Sequence, residues 1–171
     1  MAHITRLTES HARVHLASLA DLLADTVNSG ASVGFLRPLD ADLARTYWQE
    51  VLDAVGKGTR ILLIASVDEE IVGSVQLELC GKQNGGHRAE VQKLIVRSQQ
   101  RRQGIARELM RAIEREARAA ARSLLVLDTE AASAAVPFYE SLEWNRVGSI
   151  PDFALSTDGV PTPNVIYYKL L

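Results

Sequence analysis

Residues 101–106 read Arg101-Arg102-Gln103-Gly104-Ile105-Ala106. Two guanidinium groups precede a glycine, and an apolar segment of helical period begins directly after it. Glycine lets the main chain come close to a bound group. The free N–H groups at a helix start, reinforced by the helix dipole, form a cradle for an anion. With Arg101 and Arg102 at the same end, the segment suits phosphate, and most naturally a pyrophosphate. It is not a P-loop, because no Gly-Lys-Ser/Thr follows, and there is no Gly-x-Gly-x-x-Gly fingerprint. Two carboxylates, Glu90 and Asp128, lie on β-rich runs on either side of it. A carboxylate beside an amine can take its proton directly or through one water. Phe138-Tyr139 adds an aromatic pair with one phenol, of ordinary pKa about 10.

The elements that must carry these groups can be read from periodicity. The spacing predicts a short strand over 4–8, a helix over 10–27 capped by Ser10, a loop over 30–35 and a helix over 41–55. Residues 60–67 and 71–79 read as a hairpin closed by Asp68-Glu69-Glu70, and 88–96 as a third strand. Residues 105–121 place Ala106, Leu109, Met110, Ile113, Ala117 and Ala120 on one helix face. A buried-type strand over 123–128 follows, so strand, helix and strand suggest a parallel crossover. A short helix over 133–142, a strand over 144–150, a Pro/Gly/Asp-rich loop over 151–163 and a last strand over 165–171 complete the pattern. The expectation is one domain, residues 1–171, of α/β class: a mixed, mostly antiparallel sheet of six to seven strands with helices on both faces.

Arg-x-x-Gly-x-Ala at 101–106, a preceding strand that carries Glu90, and the later Phe138-Tyr139-Glu140-Ser141-Leu142 resemble the GNAT superfamily of N-acetyltransferases. The resemblance implies acetyl-CoA as cosubstrate. It implies that Arg101, Arg102, Gln103, Gly104, Ile105 and Ala106, helped by Arg107, hold the pyrophosphate. It implies that the strand backbone at Leu94, Ile95 and Val96 pairs with the pantetheine arm and polarises the thioester carbonyl. Phe138 belongs to the same cofactor-binding set. Tyr139 matches the family's general acid, and either Glu90 or Asp128 is the base. The family often has Asn where this chain has Ala132, and Ser133 is the candidate replacement. It often has Gly-Phe where this chain has Glu143-Trp144, a change expected to affect only a turn. Residues 30–35, 89–94 and 127–131 resemble members that inactivate a β-lactam amino-acid toxin. The implied acceptor is a small amino-acid-like amine, with Glu90, Asp128 and Glu130 receiving its ammonium group. A homodimer is a further implication of the resemblance.

Charge sharpens the alternatives. Eight Arg and three Glu give residues 97–122 a charge of +5 in a 171-residue chain of net charge −2. That stripe would suit nucleic acid, but the net charge, the absence of a recognition motif and the few aromatics argue against it. Arg111, Arg115, Arg118 and Arg122 read as a solvated face, with Glu114 and Arg118 paired at i,i+4. A protein or peptide acceptor on the same scaffold, and an acyl-CoA sensor without turnover, remain open, because acceptor choice lies in variable loops such as 28–38 and 151–163. No apolar run is long enough for a membrane span, and the first residues carry no signal pattern. With Cys80 as the single cysteine, a cytoplasmic location is expected. No metal is expected; His11 and His15 have ligand spacing but no third partner.

Overall fold

The structure is a computed structural model that describes residues 2–171. One seven-stranded sheet runs in the order β1-β2-β3-β4-β5-β7-β6. Its strands are β1 (His3–Leu7), β2 (Arg60–Val67), β3 (Glu70–Leu79), β4 (Arg88–Val96), β5 (Leu124–Glu130), β6 (Asn145–Leu155) and β7 (Pro161–Leu170). Only β4 and β5 are parallel. They are joined through α4 (Ile105–Ala119), as the crossover pattern predicts. The β2–β3 turn uses Asp68 and Glu69, both at positive φ, the geometry that matches a two-residue hairpin to the sheet's twist.

Helices cover both faces. On one side, α4 and α5 (Ala135–Glu140) pack on Ile61, Leu63, Val75, Leu77, Ala89 and Leu125. On the other, α1 (Glu9–Val14), α2 (Leu16–Asn28) and α3 (Ala41–Gly56) bury Leu19, Leu22, Leu23, Trp48 and Leu52 against Leu62, Ile64 and Ile95. Each fully buried side chain of this size stabilises the fold by about 1.5–3 kcal/mol. Asp40 starts α3 by accepting from Asp42 N–H at 2.9 Å and Leu43 N–H at 3.0 Å.

Three expectations need correction. The helix expected over 10–27 is broken at His15, and its cap position is Thr8, not Ser10. The break lets α1 lean on α3, where Arg13 pairs with Asp53 at 2.9 Å, and it leaves Val14 exposed. The loop expected over 151–163 is mostly strand. β6 runs on to Leu155 and β7 starts at Pro161, leaving residues 156–160 as the connection. Pro151 is tolerated because β6 is an edge strand and its pairing skips between Ile150 and Ala154, and Pro161 and Pro163 sit at the start of β7, before its pairing with β5 begins at Asn164. Glu114 does not pair with Arg118; tucked against β7, it pairs with Lys169 at 2.9 Å.

Candidate active site

Parallel pairing between β4 and β5 covers only Arg88–Leu124, Ala89–Leu125 and Glu90–Val126. Beyond that rung the strands part, and their facing main chain is open to a ligand. A bulge on β4 coincides with the split. Two steps along β3, from Ser74 to Gln76, oppose three steps along β4, from Gln92 to Ile95, and Lys93 takes φ 48°. The bulge inverts the alternation of side chains. Ala89 and Val91 face α4 before it, and Leu94 and Val96 face α4 after it. Ile95 turns to the opposite core. Gly73 on β3 makes room for this. A Cβ there would stand 3.0 Å from the Ile95 carbonyl oxygen and 3.2 Å from Leu109.

The segment after β4 leads into a helix that starts at a left-handed glycine. Gly104 has φ 84°, with no neighbouring heavy atom within 4 Å of the place its Cβ would occupy. The α4 ladder begins with Arg107 and Glu108 N–H donating to the Gly104 carbonyl at 3.0 and 3.1 Å. The N–H groups of Ile105 and Ala106 therefore precede it and are free to donate outward. An open, glycine-lined helix start of this kind fits a pyrophosphate. Helix α2 braces the cradle from beneath. Asp25 accepts from Ser98 N–H and Oγ–H, both at 2.7 Å. Arg101 is a strut: its guanidinium donates to the Val96 carbonyl at 3.2 Å and to Ser29 Oγ at 2.7 Å. Arg102 and Gln103 are exposed at the cradle's rim. Arg107 donates to Ser141 Oγ at 2.9 Å, and Ser141 donates to the Phe138 carbonyl at 2.7 Å, so the guanidinium ties α4 to α5. Ser133 Oγ lies 3.2 Å from Thr129 Oγ1 and accepts from Ala135 N–H at 3.3 Å, which holds the β5–α5 turn.

Helix α5 sets Tyr139 against Trp144 and Tyr167. The ring is buried. Burial, with a smaller contribution from the Asp128 charge, pushes the phenol well above its usual range. The hydroxyl stays protonated at neutral pH.

The sheet face opposite α4 carries a polar network. Gln76 is fully buried and bonds the Tyr47 hydroxyl. Burial raises the Tyr47 phenol to about 12, so it is neutral. Arg60 donates to Gln76 at 2.8 Å and to Glu78 at 2.8 Å. Gln92 donates to Glu78 at 2.9 Å and to Glu90 at 2.8 Å. Across the split, Asn164 donates to Asp128 at 2.7 Å. The structure therefore puts Glu90 on the last paired rung and Asp128 two residues past it on the partner strand. Sequence reasoning missed Lys93, Tyr47, Gln76 and Arg60. One signal was available: the alternation Ala89-Glu90-Val91-Gln92 slips phase at Lys93-Leu94, the mark of a bulge.

A helix start open to phosphates, with carboxylates and a protonated phenol around a split sheet, suits acyl transfer from a phosphate-anchored donor. Residues 31–154 match the acetyltransferase (GNAT) domain family, and the chain belongs to that family. It is an N-acetyltransferase, and acetyl-CoA is the acetyl donor of its family. It is 34% identical over 115 residues, 66% of this chain and 67% of the relative, to an uncharacterized N-acetyltransferase from the hisH–hisA intergenic region of Azospirillum brasilense. Among solved structures, its fold is similar to ribosomal-protein-alanine N-acetyltransferase from Brucella melitensis, with TM-score 0.79, 22% identity and 99% of each chain covered. It is also similar to the structure of yncA from Salmonella typhimurium with its cofactor acetyl-CoA, with TM-score 0.79, 15% identity, and 100% and 94% of the two chains covered.

Proposed function

We propose that this N-acetyltransferase acetylates the amine of a small amino-acid-like molecule, by direct attack within a ternary complex. Bound acetyl-CoA supplies an acyl carbon activated as a thioester. Main-chain N–H groups of 101–106 hold the pyrophosphate, with Arg102 and Gln103 at the rim. Arg101 and Arg107 act by fixing the loop and α5. The open main chain at Leu94, Ile95 and Val96 orients the donor and polarises its carbonyl; fixed donors of this sort contribute about 3 kcal/mol each. Glu90 takes the amine proton, directly or through a water, and Asp128 holds the ammonium before that transfer. Tyr139 meets the leaving sulfur as a hydrogen-bond donor. Its raised pKa favours donating a hydrogen bond over surrendering the proton outright. Phe138, beside it, and the Ser133 turn shape the wall of the donor site.

The observation that carries the reading is the polar face beside the split, where Glu90 and Asp128 stand on the two strands that part. Thiol release from acetyl-CoA tests it, across amino acids, small amines and peptides. Residues 30–35, 89–94 and 127–131 resemble the tabtoxin resistance protein, so a β-lactam amino-acid toxin belongs in the panel. Turnover with peptides alone would transfer the reading to a protein acceptor. Cofactor binding without thiol release from any amine would leave a sensor.

Two coarser expectations join the proposal. Among the described residues no helix is long and apolar enough to cross a membrane. The chain is read as a cytoplasmic protein on its single unpaired cysteine. The β6–β7 region exposes Val147, Ile150, Phe153, Leu155 and Val160, which supports self-association at that sheet edge. Sedimentation should then report twice the chain mass of 18.7 kDa.

A further inference from the structure

Lys93 stands in the bulge at φ 48°, a left-handed conformation that costs a non-glycine residue about 1–2 kcal/mol. Its ammonium lies 5.6 Å from the Tyr47 ring centroid and 5.9 Å from that of Phe35. The loop between α2 and α3 closes over it. A Cβ on Gly34 would stand 3.4 Å from Lys93 Nζ, so glycine leaves the room. Among the described residues no carboxylate forms an ion pair with this ammonium, and it makes no hydrogen bond. Burial is the main cause of its lowered pKa, and the Arg60 charge adds to it. Asp128 and Glu90 oppose that shift: they are near enough to be felt and not near enough to pair.

The carboxylates around it are engaged elsewhere. Glu78 is held by Arg60 and Gln92, Glu90 by Gln92, and Asp128 by Asn164. A partly desolvated cation kept without an anionic or hydrogen-bonding partner is costly to the fold. Two aromatic rings and a glycine keep it in place, with its three donors unused. A simple diamine entering the site would meet repulsion here. A molecule with an amine at one end and a carboxylate at the other would match both signs.

We propose that Lys93 receives a carboxylate of the acceptor, so that the natural acceptor is a carboxylate-bearing amine bound between Lys93 and the Glu90–Asp128 pair. This rests on the small-molecule acceptor reading above and specifies its chemical class. Lys93 is thus a specificity-determining residue, and it takes no proton in the reaction.

The test has two arms. In the first, wild type, Lys93→Met and Lys93→Arg are compared on the twenty amino acids and their carboxamides. Wild type should prefer the acid by about 10- to 100-fold in kcat/KM, the range for charge-assisted hydrogen bonds. Lys93→Met should bring that ratio toward one, through KM rather than kcat, and Lys93→Arg should restore part of it. Equal turnover of acid and amide by wild type overturns the proposal and leaves the acceptor reading standing. The second arm needs no turnover. Propionate and N-acetylglycine, each against its amide, are tested for thermal stabilisation of wild type and Lys93→Met. Stabilisation by the carboxylates of wild type alone supports the proposal, even if no amine releases thiol and the acceptor reading fails. No difference between carboxylate and amide in wild type overturns it.

Discussion

In the proposed reading the donor side of the cleft comes mainly from one run of chain, residues 94–107, walled by the Ser133 turn and Phe138, and works mainly through backbone. The other side gathers Phe35, Tyr47, Arg60, Gln76, Lys93 and Asp128 from six separate elements and works through side chains. The two sides differ in what they must recognise. A pyrophosphate is the same in every acetyl-CoA molecule, and N–H groups at a helix start serve it regardless of which residues supply them. An acceptor is particular, so its site needs chosen side chains brought together by the whole fold. Changes on the donor side should therefore lower turnover of every acceptor alike. Changes on the acceptor side should alter the ranking of acceptors.

Tyr139 lies where the two sides meet, and the largest effect is expected there. Tyr139→Phe should lower kcat about 100-fold, the lower end of what removing one fixed hydrogen-bond donor costs. KM for acetyl-CoA and the order of acceptors should hold. Because burial pushes the phenol upward, Tyr139 should cause no loss of rate below its ordinary pKa of about 10. A Tyr139→Phe enzyme with wild-type kcat would remove the residue from the reaction.

Next in size is the cradle itself. Gly104→Val places a β-branched residue at φ 84°, in open space, so the cost is in the backbone. About 1–2 kcal/mol of strain corresponds to about a tenfold rise in KM for acetyl-CoA. The rise should be the same whichever amine is used. A change in acceptor ranking would break the division between the two sides. Asp25→Ala acts more remotely, by removing the two bonds that hold Ser98 under the loop. It should raise the same KM by less, and calorimetric titration with acetyl-CoA would show the weaker binding directly.

The division also explains what could be read from the chain before its fold was known. The donor side was legible because Arg-x-x-Gly-x-Ala, a strand before it and an amphipathic helix after it are contiguous. Even there, side-chain direction was hidden. Arg101 looked like a phosphate ligand and is a strut to Val96 and Ser29, because its target is the end of a helix 72 residues earlier. The order β2-β3-β4-β5 followed from the hairpin and the crossover, both local patterns, whereas the place of β7 between β5 and β6 had no local mark. The β6–β7 region misled because Pro151, Pro161 and Pro163 normally break strands; Pro151 is admitted by an edge strand with irregular pairing, and Pro161 and Pro163 by lying before β7 pairs with β5. Glu90 and Asp128 stood out as carboxylates on strands. Tyr47, Arg60 and Gln76 looked like ordinary polar residues, since only the pairing of β2, β3 and β4 and the seating of α3 bring them together.

The smallest effect expected is on stability, and it has the opposite sign to the others. Lys93 has its pKa lowered in the folded protein, so the fold binds that proton less tightly than the unfolded chain does. Protonation of Lys93 therefore opposes folding at every pH below its folded-state pKa, and the penalty fades as pH rises through that value. Lys93→Met removes the penalty. It gives up the cation–π contacts with Phe35 and Tyr47 but can replace them with a sulfur contact to the same rings. The melting temperature at neutral pH should rise by about 1–2 °C, a fraction of 1 kcal/mol in a chain of this size. The gain over wild type should shrink in alkaline buffer as the wild-type lysine loses its charge. A fall in melting temperature would instead make Lys93 a structural cation, held for the sake of the rings and the bulge. A variant that is more stable and less selective would place the cost of this lysine on the acceptor side, where selectivity is set.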